Sequence, residues 1–171
     1  MDNRPNLLPV KPFQETLHGG YCGPATLKMV LAYYGIEKSE EELAQACGKD
    51  TELGVDDQAI KRVAESFGLT VEIKNNSSFE DIQTWLDKKV PVIVNWFTRG
   101  RTDYPEDEVA DGHYSVVVGL DNQQIYLQDP EVGRVRKVER NEFKKVWFDF
   151  SSEFIEKWEN LIVRQIIAVY R

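Results

Sequence analysis

Apolar residues recur at helical spacing over Leu27, Val30, Leu31 and Tyr34, with Pro24 suited to a first turn and Gly35 to a stop. The pattern predicts a helix that opens at Cys22-Gly23. Ser39-Glu40-Glu41-Glu42 combines an N-cap with a capping-box acid and predicts a second, short helix through Cys47 to Gly48. Ile60, Val63, Ala64 and Phe67 place a third over 55–68. Leu69 to Ile73 alternates as a strand, Phe79, Ile82, Trp85 and Leu86 line one face of a helix over 78–88, and Pro91 to Phe97 reads as a buried strand. Tyr114 to Leu120 and Gln124 to Gln128 form a hairpin around Asp121-Asn122-Gln123. A strand over 134–138, short helices over 141–147 and 152–158, and a final strand over 161–170 complete the reading.

With 171 residues, 42% of them hydrophobic, the chain can bury the core of one domain, expected to span 1–171. A net charge of −8 repels phosphate backbones and anionic lipid, so nucleic acid is not an expected partner. The longest apolar runs, Val90 to Val94 and Ile166 to Val169, are far shorter than the roughly 18–20 residues of a membrane span. No basic cluster leads into an apolar run at the N-terminus, so no secretory signal is read, and two cysteines do not make a disulfide scaffold. The expectation is a cytoplasmic protein without membrane insertion, with no cofactor and no metal; oligomeric state is not legible.

The informative chemistry surrounds the first cysteine. In Gly19-Gly20-Tyr21-Cys22-Gly23-Pro24-Ala25 the sulfur stands at a helix start, where free N–H groups and the macrodipole favour a thiolate. By itself a cysteine there more often packs than reacts. A nucleophile needs a base, and the chain has only His18 and His113. His113, at the opening of an apolar strand, can face a cleft, whereas His18 reads as a loop residue. Asp129 ends the next strand, where a carboxylate can orient an imidazole. If Asp121-Asn122-Gln123 is a three-residue loop, Leu120 pairs with Gln124, Asp129 falls opposite Ser115, and Asp129 shares a face with His113. A two- or four-residue loop would put them on opposite faces.

Gln14, Tyr21-Cys22-Gly23-Pro24-Ala25, Gly112-His113-Tyr114-Ser115-Val116-Val117 and Asp129-Pro130, in that order, resemble the papain-like bacteriocin-processing cysteine peptidases, family 39 of the cysteine peptidases, and their free-standing relatives. The resemblance implies an α+β papain-like fold, with an N-terminal helical half packed on an antiparallel β-sheet half. It implies Cys22 as nucleophile, His113 as general base and acid, Asp129 as orienter and Gln14 in the oxyanion hole. Gln14 stands eight residues before Cys22, further than in the exporter-linked members, and the other reading of it is a solvent-facing amide. The implied activity is peptide-bond cleavage through a thioester on a peptide or protein substrate. Two alternatives stand beside it: acyl or peptidyl transfer by the same residues, and an idle peptide-binding module. Cys47 and the four tryptophans read as packing. The acidic run from Asp103 to Asp111 reads either as a solvated loop or as a cleft border that favours basic peptides.

Overall fold

The computed structural model describes residues 5–17, 19–49, 54–98, 112–150 and 156–171. Side-chain caps set the starts of the α-helices after the first. α1 (Cys22–Tyr33) buries Leu27, Met29, Val30 and Leu31, and Gly35 ends it at φ +80°, a left-handed conformation that costs glycine little. In α2 (Glu40–Ala46) the Ser39 hydroxyl accepts from the Glu42 N–H while the Glu42 carboxylate accepts from the Ser39 N–H. Asp56 caps α3 (Asp57–Ser66), and a Ser78/Asp81 capping box opens α4 (Phe79–Asp87).

The strands are β1 (Thr70–Lys74), β2 (Val92–Phe97), β3 (Gly112–Leu120), β4 (Gln124–Asp129), β5 (Arg134–Glu139), β6 (Phe148–Phe150), β7 (Leu161–Val163) and β8 (Ile166–Tyr170), with α5 (Arg140–Val146) between β5 and β6. Six of them form one sheet in the order β1-β8-β2-β3-β4-β5, antiparallel throughout, while β6 and β7 pair separately. The expected α+β architecture is present. α1 packs on β3, its Thr26 hydroxyl donating to the Tyr114 carbonyl across a buried interface. The N-terminal segment lies along the sheet: the Leu8 N–H donates to the Val118 carbonyl, and Gln128 donates to the Val10 carbonyl. No described helix is long and apolar enough to cross a membrane.

Three expectations need correction. The single strand over 161–170 is two strands, broken where Arg164 turns to φ +46°. Polar partners hold that break: the Arg164 N–H donates to the Trp147 carbonyl, and buried Gln165 donates to Asp57 and Asn75. Of the helix expected over 152–158, the described part holds a 3-10 turn, Trp158–Asn160; residues 151–155 lie outside the described residues. Trp158 is 86% exposed, unlike the buried Trp96 and Trp147, whereas Trp85 stacks on Tyr170.

The third correction concerns the β3–β4 hairpin. Leu120 pairs with Ile125 rather than Gln124, the four-residue loop that by itself would separate His113 from Asp129. A bulge between Val117 and Gly119 removes the offset, so Val117 pairs with Leu127 and Val116 with Gln128. The register at the mouth of the hairpin is therefore the one expected, reached by two compensating irregularities. His113 and Asp129 share a face.

Candidate active site

Cys22 is the first residue of α1 and is partly exposed. The N–H groups of a first helical turn have no partner within the helix, so they and the dipole face whatever negative charge forms at the sulfur. Glycine is required beside it, because a Cβ at Gly23 would drive into the Val55 side chain and approach the Tyr114 ring.

His113, expected at a strand opening, is the second residue of β3 and is buried. Its Nε2 lies 2.6 Å from Asp129 Oδ1, and the Cys22 thiol is a second hydrogen-bond partner of the imidazole, which leaves Nδ1 for the sulfur. Trp96, the cross-strand partner of His113, packs edge-on against the imidazole at 5.8 Å between centroids, and its Nε1 donates to Ser115 Oγ at 3.0 Å. The ring plane is thus fixed by packing on one side and by a hydrogen bond on the other.

Asp129 is fully buried. Pro130 ends β4 after it, and the chain turns back through Gly133 at φ +63°, whose N–H donates to the Asp129 carbonyl. Besides His113, Asp129 Oδ1 accepts from the Glu131 N–H at 2.9 Å. Arg136 Nη1 lies 3.2 Å from Asp129 Oδ2, an ionic contact outside hydrogen-bond angles. Burial opposes charge on both Asp129 and His113, and the mutual attraction outweighs it in each. The Asp129 carboxyl is held below its ordinary range despite burial, through the His113 charge, its hydrogen bond and Arg136. The His113 imidazole is held well above its ordinary value despite burial, through Asp129 and the Cys22 thiol. Cys47 is the contrast: burial pushes its thiol up to about 11, and it sits in the core as expected.

Cys22, His113 and Asp129 are therefore brought together. Gln14 is exposed, its Nε2 donating to the Glu131 carbonyl at 3.1 Å and its Cβ packed against Gly133. His18 and the acidic run over 103–111 lie outside the described residues.

Sequence reasoning missed four residues here. Trp96 and Arg136 are recognisable only from strand pairing, which sets one beside His113 and the other beside Asp129. Glu131 follows Asp129-Pro130 directly and brings its Oε2 to 3.9 Å from His113 Nε2. Glu15, neighbour of Gln14, has its N–H on the Pro130 carbonyl. Burial, and the charges of Glu131, Asp129 and Glu40, push its carboxyl up to about 7 against the opposing pull of His113. Among the described residues, His113, Asp129 and Glu131 are the trio whose donor atoms lie within 4.8 Å of one another, as a metal site would require. Two of the three donors already hydrogen-bond to each other.

Chemically, the arrangement offers a thiol, a base in contact with it, and a buried carboxylate that fixes the base's tautomer. The sequence model described as Peptidase_C39 like family matches residues 7–155. The lactococcin-G-processing and transport ATP-binding protein LagD of Lactococcus lactis is 28% identical over 126 residues, covering 74% of this chain but 16% of the relative. The chain thus spans about one sixth of the length of such transporters. An uncharacterised protein of Methanothermobacter marburgensis is 32% identical over 133 residues, with 75% of this chain and 78% of that protein covered. Among solved structures, the peptidase domain of Streptococcus ComA superimposes with a TM-score of 0.68 at 20% identity, covering 94% of this chain and 98% of that one. A double glycine motif protease from an AMS/PCAT transporter, in complex with its leader peptide, gives 0.64 at 19% identity, covering 98% and 99%. The fold is that of C39 papain-like peptidase domains, and the chain belongs to the C39-like family of cysteine peptidases.

Proposed function

We propose that this chain, acting as one domain, is a cysteine peptidase that cleaves a peptide or protein substrate through a thioester on Cys22. His113 takes the thiol proton as the sulfur attacks the scissile carbonyl carbon. The carbon–nitrogen bond then breaks and His113 gives its proton to the leaving amine. Water, deprotonated by the same imidazole, attacks the thioester and releases the acid and Cys22. Asp129 holds the imidazole in the tautomer whose Nδ1 faces sulfur and stabilises its charged form. The Cys22 N–H and the Gln14 amide stabilise the oxyanion, which requires the Gln14 amide to turn away from the Glu131 carbonyl.

The observation that carries the reading is the contact chain from the Cys22 thiol through His113 to fully buried Asp129, set at the start of a helix. An idle binding module has no need of a carboxylate fully buried against an imidazole. The test is covalent labelling by a peptidyl electrophile, followed by intact mass. One adduct on wild type, none on Cys22→Ala and slow labelling of His113→Ala are expected. Equal labelling of Cys22 and Cys47 would reject the proposal.

A further inference from the structure

Glu131 touches three of the four residues assigned above. Its N–H donates to Asp129 Oδ1, its carbonyl accepts from Gln14 Nε2, and its carboxylate lies 3.9 Å from His113 Nε2, the ring nitrogen already bonded to Asp129. The turn that carries it is rigid. Pro130 fixes one backbone angle, the Gly133 N–H closes on the Asp129 carbonyl, and the Pro130 carbonyl accepts from the Glu15 N–H. The segment through Gln14, Glu15 and Thr16 is tied down in turn, since Thr16 bonds through both N–H and hydroxyl to the Glu40 carboxylate.

Resting on the peptidase reading, we infer that Glu131 is a positioning residue: a second carboxylate partner of the protonated His113 imidazole, supported by Glu15 from the adjoining segment. Among the described residues, the charged and titratable groups around His113 are Cys22 from α1, Asp129 from β4, Arg136 from β5, Glu131 from the turn between them and Glu15 from the N-terminal segment; Asp149 of β6 lies against the adjoining Gly112, and Glu40 of α2 faces Glu15. Arg136 offsets part of the Asp129 charge, so the imidazolium faces less than one full negative charge from that side. Glu131 restores the deficit without competing for the Asp129 hydrogen bond, because its carboxylate stands off at ionic distance. Glu15, whose N–H is held by the Pro130 carbonyl, brings a further carboxylate to the same turn. Together they extend the alkaline side of the working pH range.

The magnitude follows from Coulomb's law. One charge at 3.9 Å in a water-like dielectric, apt for a partly exposed carboxylate, shifts a titration by about 0.8 pH unit. The test is an imidazole titration by NMR, simple because the chain has two histidines and His18→Asn leaves His113 alone. Glu131→Gln is expected to lower the His113 midpoint by about 0.8 unit, Glu15→Gln by less, and the double variant by the most of the three. Melting temperatures measured above the His113 midpoint are expected to stay unchanged, since every main-chain contact of Glu131 survives the substitution and the lost attraction counts only while the imidazole is charged. Glu131→Asp, which keeps the charge on a shorter arm, should recover part of the shift. A Glu131→Gln midpoint within about 0.2 unit of wild type, while Asp129→Asn shifts it, would overturn the inference. The alkaline limb of Cys22 alkylation by iodoacetamide should move with the midpoint. If Cys22 proves no more reactive than Cys47, the peptidase reading fails, while the imidazole titration still decides what Glu131 does.

Discussion

Replacing Asp129 with asparagine separates what this carboxylate does for the fold from what it does for chemistry. The side chain keeps its shape: with its oxygen in the Oδ1 place it still accepts from the Glu131 N–H and from His113 while its amide donors meet Arg136, and turned over its donors meet both of those N–H groups. Two unit charges about 4 Å apart at an effective dielectric of about 20 attract by about 4 kcal/mol. Since about 1.4 kcal/mol corresponds to one pH unit, losing that attraction lowers the imidazole titration by roughly two to three units. Removing one partner of a buried pair costs about 3–5 kcal/mol; the imidazole can shed its proton, which places the expected loss near the lower figure. The pH dependence has a defined sign. Asp129 titrates below its ordinary value, so its contribution is full above about pH 4 and is lost as pH falls through the lowered folded value. His113 titrates above its ordinary value, so its contribution is full below about pH 6.5 and is lost as pH rises through the raised one. Denaturant melts from about pH 3 to 10 should therefore show the gap between wild type and Asp129→Asn widest from about pH 4 to 6.5 and narrowing at both ends. Turnover should fall by about 10⁴-fold, the cost of the wrong imidazole tautomer in a triad. A gap independent of pH, or turnover within a few-fold of wild type, would refute the assignment.

Three further outcomes are expected. Iodoacetamide at neutral pH should modify Cys22 and spare Cys47, whose thiol is buried and titrates at about 11; peptide mapping reads this, and extensive labelling of folded Cys47 would contradict it. Gln14→Ala should lower turnover by about 10²–10³-fold with an unchanged melting temperature if the amide reaches the oxyanion, whereas normal turnover assigns it to the Glu131 carbonyl alone. Gly23→Ala should lower both labelling of Cys22 and stability, by about 1–3 kcal/mol in a denaturant melt, because its Cβ meets Val55 at the mouth of α1; a silent substitution would show that this mouth can widen.

Much of this site is legible in local sequence because each part is fixed by local rules. Pro24 and Gly35 bound α1 and so fix where Cys22 sits, and Asp129-Pro130 marks a strand end. The helices over α2 and α4 are encoded by two-residue capping boxes. What failed depended on distant partners. The β3–β4 loop length is masked by a bulge that packing selects, since no residue between Val117 and Gly119 announces it. The break at Arg164 is held by Trp147, and by Gln165 bonding to Asp57 and Asn75, residues far away in the chain. Nothing local marks Glu131 or Glu15, which take their places only when the fold closes the turn after β4 on the N-terminal segment.

Peptide-bond cleavage by Cys22 with the help of His113 can be measured without a known substrate. Wild type, Cys22→Ser and His113→Ala would each be incubated with a proteome-derived peptide library, and new termini counted by mass spectrometry. Cleavages that share a sequence preference in wild type and vanish in both variants are the predicted result; an identical set of cleavages in wild type and Cys22→Ser would contradict it.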